Sequence, residues 1–430
     1  MLVVGGGGRE HALLWKLAQS PRVGKLYAAP GNGGTGALAR NVPLAVDDFD
    51  ALVAFAAAEG IHLTVVGPDD PLAAGIVDRF EAADLRVFGP TAAAAQLESS
   101  KVYSKRLMDA AGVPTARYET FDSKPPALEH LEGRALPVVV KASGLALGKG
   151  DFVCHTLEQA RDAVEAIMGE RVFGAAGSEV VIEDYLVGPE ISLHALCDGS
   201  TYTMLPSAQD HKPAGDGDEG PNTGGMGTIV PVPWLDGDDL RRLGETVVAP
   251  ALAQQAATGS PFAGLLYPGL ILTSASPRVL EFNARWGDPE TQSYVRLLDS
   301  DLLDLLDACV DGRLAGTPVR WQPGYAACVI VASGGYPGEC RKGLPISGLD
   351  AAEACEDVVV FHSATAIDAG RHVTAGGRVL GVSATGKTLE SALDKAYGAV
   401  ERIAFDGMRY RTDIGRRPWP EPATVALPAS

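Results

Sequence analysis

The first hundred residues alternate short apolar runs with amphipathic stretches. Residues 2–4 are apolar and end in four glycines, and 9–19 carry Leu13, Leu14 and Leu17 on one helical stripe. Residues 25–29 predict a second strand and 52–59 an Ala-rich helix. A third strand is predicted at 63–66, closed by Gly67-Pro68. A helix follows at 75–83, then a strand at 87–88 closed by Gly89-Pro90. Strands alternating with helices predict a parallel sheet covered on both faces. Such sheets bind ligands on the loops after the strand C-termini, here 5–8, 30–34 and 67–71.

From residue 99 the pattern changes. Residues 99–111 predict a helix rich in Lys and Arg, and 136–142 an apolar strand followed by a segment, 143–150, with three glycines and a lysine. Strands are predicted at 179–183 and, after a Gly-Pro turn, at 190–196. Residues 210–227 read as a long polar, glycine-rich loop, and a loop that long in a compact domain is usually functional. A helix is predicted at 239–257, strands at 265–272 and 278–283, and helices at 291–297 and 301–311. Residues 321–324 read as a linker, and 326–332 open a separate set of strands. The chain closes with a strand at 378–383, an amphipathic helix at 388–403 and a Pro-rich tail after Arg416, expected to be loosely ordered.

Composition narrows the function. The chain has 430 residues, 46% of them hydrophobic, which is ample for large cores and rules out a disordered chain. Asp and Glu total 54 against 36 Lys and Arg, for a net charge of −18. That balance disfavours nucleic acid or an anionic membrane as partner, but allows a local basic pocket for a small anion. No apolar stretch is long enough to span a bilayer. The six cysteines, at 154, 197, 309, 328, 340 and 355, form no C-x-x-C and read as reduced thiols. The first residues, Met-Leu-Val-Val-Gly-Gly, read as a buried strand rather than a signal peptide. A cytoplasmic protein is expected.

Two segments mimic nucleotide motifs. Gly381-Val-Ser-Ala-Thr-Gly-Lys-Thr388 fits the phosphate-loop pattern letter for letter, but Val379, Leu380 and Val382 place Gly381 inside a strand and leave too short a loop. Gly5–Gly8 fails the dinucleotide fingerprint, because Glu10 stands where the third glycine belongs. A glycine turn at a helix N-terminus still suits a phosphate, and Arg9 adds charge there.

The chemistry concentrates in Val279-Leu-Glu-Phe-Asn-Ala-Arg285. Strand alternation puts Glu281, Asn283 and Arg285 on one face and Leu280, Phe282 and Ala284 on the other, toward a core. A carboxylate and an amide oxygen suit Mg²⁺, and the guanidinium can hold a carboxylate or phosphoryl group bidentately. Lys141 ends an apolar strand and precedes Gly144, Gly148, Lys149 and Gly150, a loop able to fold over polyphosphate. Backbone groups of Glu183-Asp-Tyr-Leu186 can meet an adenine edge, and Glu190 ribose hydroxyls.

These segments, in this order, resemble the phosphoribosylamine–glycine ligase family of ATP-grasp enzymes over nearly the whole chain. The resemblance rests on Gly5-Gly-Gly-Gly-Arg-Glu-His11, Ala29-Pro-Gly-Asn32, Gly67-Pro68, Gly89-Pro-Thr91, Ser100-Lys101 with Lys105, and Lys141 to Gly150. It continues in Gln209-Asp-His-Lys212, Gly220-Pro-Asn-Thr-Gly-Gly-Met-Gly227 and Arg285-Trp-Gly-Asp-Pro-Glu290. It implies an N-terminal α/β substrate domain (1–99), an ATP-grasp domain (100–323) with a lid at about 115–186, and a C-terminal α+β domain (324–430). It implies a carbon–nitrogen ligase of purine biosynthesis that acts on glycine, phosphoribosylamine and ATP with Mg²⁺ or Mn²⁺, as a cytoplasmic monomer.

By the same resemblance Lys105, Lys141, Gly148 and Lys149 meet ATP phosphates, Glu183, Tyr185 and Leu186 the adenine, and Glu190 the ribose. Glu281 and Asn283 bind metal. Arg285 and Asp288, with Lys141, serve the transfer, under a loop carrying Asp210, Lys212, Asn222, Thr223 and Gly224. Gly7, Gly8, Arg9, Asn32 and Gly67 help hold phosphoribosylamine. Three places depart from the family's usual pattern: Ser143 for Asp, Pro213 for Arg, and Thr228-Ile-Val for Ala-Tyr-Ser. Pro213 motivates the alternative of a diverged ligase with another acid and amine.

Overall fold

The computed structural model describes residues 1–146, 150–416 and 427; Gly148, Lys149 and nearly all of the Pro-rich tail lie outside the described residues. The first sheet is parallel, in the order Arg40–Asn41, Tyr27–Pro30, Leu2–Gly5, Thr64–Val66, Val87–Phe88. Leu2 and Val4 join one core with Leu52, Ile76 and Phe80, while Val3 joins Leu13, Leu14 and Leu17 on the other face. An all-apolar strand buried on both sides is what a parallel sheet requires. The strand order reverses at Leu2–Gly5, which puts the topological switch point at the glycine turn.

The helix expected at 99–111 is Lys101–Ala111, and an unpredicted helix, Ala92–Ser99, runs directly into it. Ser100 breaks them by accepting from the Tyr103 amide at 3.1 Å, as an N-cap does. Next comes a four-stranded antiparallel sheet, ordered Tyr118–Phe121, Val180–Asp184, Val138–Ala142, Asp151–Cys154. Helices Lys124–Leu131 and Leu157–Val164 close a core on it from Val138, Val140, Ala160 and Ile182.

In the central sheet, Ala263–Leu272 takes Glu190–Ser192 and Ala195–Asp198 along one edge and Pro277–Asn283 along the other. The last sheet is ordered Gln209–Asp210, Gly227–Val230, Tyr325–Ala332, Arg378–Gly386, Val358–His362. The two ends of segment 210–227 therefore pair with each other, and the second end also pairs with the distant strand Tyr325–Ala332. That segment is not the structureless loop its composition suggests. Pro213–Gly215 pairs with Glu219–Asn222 as a hairpin. Its tip is tied to the C-terminal region: Asp216 accepts from the Thr412 amide, Asp413 from the Gly217 amide, and Asp218 pairs with Arg411 at 2.9 Å.

Gly381 lies inside Arg378–Gly386, so the phosphate-loop mimic is a strand, a tight turn and a helix start. Trp321 bridges to Leu298 and packs on the core, so 321–324 is an anchored connection. All six cysteines are free. Among the described residues no helix is long and apolar enough to cross a membrane.

Candidate active site

Residues from all three parts of the chain line a cavity of about 480 Å³. The strand Pro277–Asn283 supplies one wall. Its register slips: Gly269 faces Glu281 and Leu270 faces Val279, so Leu280 is bulged out. Val279, Phe282 and Ala284 enter the core, while Leu280, expected there, lines the cavity beside Glu281, Asn283 and Arg285. A bulge shifts the alternation by one residue, so the period-two argument holds only beyond it.

The Glu281 carboxylate lies 3.5 Å from Lys212 Nζ. Burial pushes its pKa up, but Lys212, Lys101, Lys141 and Arg285 outweigh that and hold it at about 2. It is ionised at neutral pH, as a metal ligand must be. Lys212 is also 3.9 Å from Glu190, which sits exposed at the edge of the site. Asn283 Oδ1 accepts from Arg285 Nη2 at 3.0 Å. Arg285 is further held by Glu98 at 3.1 Å, and Glu98 accepts from the Ala284 amide at 2.8 Å. Burial lifts the Glu98 carboxyl to about 7 against the pull of Arg285. Arg285 Nε is buried with no partner among the described residues.

Lys105 and Lys141 converge on Glu183, each 2.5 Å from one of its oxygens. All three are buried. Burial raises the Glu183 pKa, but the two ammonium groups outweigh it and keep the acid ionised. Lys105 lines the cavity; Lys141 sits behind it, donating to the Leu280 carbonyl at 3.3 Å. The Glu183 carboxylate is thus the counterion of two lysines, which leaves its backbone groups for an adenine edge. Tyr185 and Leu186 follow the strand Val180–Asp184, outside the cavity wall, with Tyr185 exposed.

The glycine turn departs further from expectation. Gly7 N–H donates to Glu10 Oε2 at 2.5 Å, and Arg9 N–H reaches Asp288 Oδ2 at 3.5 Å. Two carboxylates therefore serve this helix N-terminus, Glu10 on the Gly7 amide and Asp288 near that of Arg9, the latter accepting from Gln292 at 2.7 Å. Burial raises the Asp288 pKa, but Arg378 and Arg9 pull it below the usual carboxylate range. A helix N-terminus attracts any nearby anion, and the fold supplies both. Arg9 and Asp288 line the cavity; Gly7, Gly8, Asn32 and Gly67 do not. Asn32 donates to the Gly6 and His362 carbonyls and accepts from the Gly34 and Thr35 amides. Its amide is spent on joining the glycine turn to the C-terminal region. Gly67 packs on the Glu10 side chain, where a Cβ would collide.

Asp210, Lys212, Asn222, Thr223 and Gly224 all line the cavity. Burial and Glu290 push the Asp210 carboxyl well up. Sequence reasoning missed Asp69, Glu98, Lys101, Tyr267, Glu290, Tyr336 and Arg378 as wall residues. Glu98 and Lys101 flank or lie within a quoted motif, and Glu290 ends another. Tyr336 and Arg378 sit in the C-terminal part with no local signal.

The three departures have physical accounts. Ser143 accepts from the Lys101 and Val102 amides through its carbonyl (2.7 Å) and hydroxyl (3.3 Å), so it caps the helix start as an Asp would. Pro213 does not line the cavity; its carbonyl accepts from Arg411 at 3.1 Å. Thr228 is buried on Ser293 at 3.0 Å, and Ile229 and Val230 fill core positions. Glu281 and Asn283 are hard oxygen donors on one wall, and among the described residues no cluster of three His, Cys, Asp or Glu could hold a metal. Two protein ligands completed by phosphate oxygens and water fit Mg²⁺.

Residues 1–98, 99–291 and 326–417 match the N, ATP-grasp (A) and C domains of phosphoribosylglycinamide synthetase. The chain is 47% identical over 421 residues to a phosphoribosylamine–glycine ligase of Rhodopirellula baltica, covering 96% of each. It is 46% identical over 418 residues to one of Ralstonia nicotianae, covering 97% of this chain and 99% of that one. The crystal structure of the Thermotoga maritima phosphoribosylamine–glycine ligase superposes with a TM-score of 0.83 at 34% identity, over 96% of this chain and 99% of that one. A biotin carboxylase from Campylobacter jejuni shares the fold, with a TM-score of 0.74 at 14% identity over 95% and 92%. On its full-length match to the three domains and to these relatives, the chain belongs to the phosphoribosylglycinamide synthetase family.

Proposed function

We propose that the protein joins glycine to 5-phospho-β-D-ribosylamine, converting ATP to ADP and phosphate and giving glycinamide ribonucleotide for purine biosynthesis. The observation that carries this reading is the wall of ionised Glu281, Asn283 and Arg285, which shares one cavity with Lys105, itself paired to Glu183. Cations around a transferring phosphoryl group and acids for its metal are what the reaction needs.

In this reading a glycine carboxylate oxygen attacks the γ-phosphorus, the bond to the β–γ bridging oxygen breaks, and ADP leaves. The amine then displaces phosphate from the glycyl phosphate. Lys105 meets the ATP phosphates with Lys141 behind it, Gly148 and Lys149 serve the same phosphates, and Glu183 holds Lys105 and Lys141 in place. Tyr185 and Leu186 border the adenine, and Glu190 the ribose. Mg²⁺ or Mn²⁺ on Glu281 and Asn283 supplies charge neutralisation. Arg285 orients the carboxylate and acyl phosphate. Asp288 fixes Arg9 and Arg378 at the rim. Asp210, Lys212, Asn222, Thr223 and Gly224 border the glycine. Arg9 gives the phosphoribosyl group a cation. The protein acts as a cytoplasmic monomer.

Pro213, the motive for a different acid and amine, stands outside the cavity wall, which removes its support. The test is ADP formation with Mg-ATP, omitting glycine or phosphoribosylamine in turn, the amine being generated from ribose 5-phosphate and ammonia. ADP release that requires both is expected. Release indifferent to glycine or to the amine overturns the substrate assignment.

A further inference from the structure

The C-terminal region contributes two side chains to the cavity that the reaction outlined above leaves unused, Arg378 and Tyr336. Arg378 opens the strand Arg378–Gly386, and Gly377 before it leaves room for the Tyr336 ring, which a Cβ there would strike. Arg378 Nη1 donates to the Gly224 carbonyl, to the Asp288 carbonyl at 2.6 Å and to the Gly225 carbonyl at 3.3 Å. Its Nη2 lies 3.6 Å from the Asp288 carboxylate. The Tyr336 hydroxyl accepts from the Gly224 amide at 3.1 Å. One guanidinium thus gathers carbonyls from the hairpin segment and from the Asp288 turn, and one phenol holds the amide between them.

The glycines permit this closeness. A Cβ on Gly224 would sit 3.1 Å from the Arg378 guanidinium carbon. Gly225 has φ +105, and a Cβ there would meet Asp210 at 2.6 Å. The segment is also tied from its other side: Thr223 Oγ1 donates to the Lys212 carbonyl at 2.7 Å and accepts from the Gly225 amide at 3.0 Å. Residues 222–224 are therefore held as a rim of the same cavity that Glu281 and Arg285 line.

We propose that Arg378 and Tyr336 are positioning residues that hold this rim over the acyl phosphate, so that the amine and not water receives the glycyl group. The proposal rests on the ligase reading. In the productive step the amine nitrogen attacks the carbonyl carbon, the C–N bond forms and the C–O bond to phosphate breaks. Phosphate leaves with the electron pair, and nitrogen gives one proton to solvent. If water attacks instead, a C–O bond to water forms and the C–O bond to phosphate breaks, glycine leaves as its carboxylate, one of water's protons goes to phosphate and the other to solvent, and ATP is lost without amide. Both routes start from one intermediate, so exclusion of water sets their ratio.

The test measures ADP and amide in the same reaction for the full chain and for Arg378→Gln, Arg378→Lys and Tyr336→Phe. It adds hydrogen exchange of the 222–225 amides. The unsubstituted protein is expected to make one amide per ADP. Arg378→Gln is expected to release at least threefold more ADP than amide, with a smaller excess for Tyr336→Phe and partial rescue by Arg378→Lys. Exchange at 222–225 is expected to rise about tenfold in Arg378→Gln, with native circular dichroism. A one-to-one ratio in Arg378→Gln and Tyr336→Phe overturns the proposal, whatever happens to kcat. If Arg378→Gln does not fold, Tyr336→Phe decides by its ratio. If the unsubstituted protein releases ADP without amide, the ligase reading has failed, and the rim is then judged by exchange alone. Unchanged protection of 222–225 in the variants overturns it there.

Discussion

Glu281, partly exposed to the cavity, and Glu183, fully buried, both sit among lysines, yet their tasks differ. Glu183 is saturated by two ammonium groups at 2.5 Å, whereas Glu281 has only the longer 3.5 Å contact to Lys212 and keeps lone pairs facing the cavity. Glu281→Gln is therefore expected to leave far-UV circular dichroism unchanged and to lower ADP formation at least about 100-fold, the scale of losing a group that neutralises transition-state charge. Activity within threefold of the parent would remove Glu281 from the metal assignment. At this scale much of the site was legible. Glu281 and Asn283 share a face because strand alternation demands it, and Arg285, two residues past the end of Pro277–Asn283, lines the same cavity. Leu280 was misplaced because a bulge answers to the partner strand, not to the strand's own pattern. The bonds of Asn32 were not legible, because a conspicuous amide in a glycine-rich turn looks the same whether it meets a ligand or the carbonyls of Gly6 and His362.

Among elements, the rhythm of strand and helix was readable wherever burial is local, as in Leu2–Gly5 with the helix Gly8–Leu17. The hairpin of 213–222 was not, because its hydrogen-bond partners come from residues 411–413. Arg411 is fully buried and pairs with Asp413 at 2.8 Å and Asp218 at 2.9 Å while donating to Pro213. Arg411→Met removes the cation and leaves two carboxylates and a carbonyl short of a donor. A loss of about 2 kcal/mol in unfolding free energy is expected, with faster protease cleavage in 213–222, the scale of charge-assisted hydrogen bonds whose partly exposed carboxylates water can re-solvate. Equal cleavage rates would show that the hairpin holds itself. Ser143 makes a smaller and separate case. Ser143→Ala deletes the hydroxyl that accepts from Val102 at the start of Lys101–Ala111 and is expected to cost about 1 kcal/mol by denaturant titration. A cost near zero would mean that the Ser143 carbonyl and the Ser100 cap suffice.

Across the whole molecule, buried neutral histidines mark the seams between the C-terminal region and the rest. His11 Nδ1 accepts the His362 amide at 2.8 Å, joining the first helix to the strand Val358–His362. His211 Nδ1 faces the Gly227 carbonyl at 3.0 Å, and its Nε2 accepts from the Gly415 amide at 3.1 Å. Each ring has an acceptor nitrogen that protonation would abolish, and burial holds His11 and His211 down at about 4. Their folded pKa lies below the unfolded one, so the unfolded chain binds more protons between about 6.5 and 4, and stability falls as pH falls through that window. For His211 the loss from pH 7 to pH 5 is about 2 kcal/mol. Glu98 works in the opposite sense. Its carboxyl is raised to about 7, so the folded state binds the extra proton and stability rises as pH falls from 7 toward 4.5, by about 2 kcal/mol between pH 7 and pH 5. Asp210 is raised as well and adds to that gain. The net slope of the parent protein is therefore a small difference of large parts, and the informative quantity is how single substitutions change it. His211→Gln is expected to lose about 2 kcal/mol less than the parent between pH 7 and pH 5, and Glu98→Gln about 2 kcal/mol more, both read by denaturant unfolding. If His211→Gln follows the parent's slope, the ring is not the acid-sensitive tie at the seam. If Glu98→Gln does, the clamp on Arg285 is a fixed carboxylate at both pH values, and its elevated pKa is wrong.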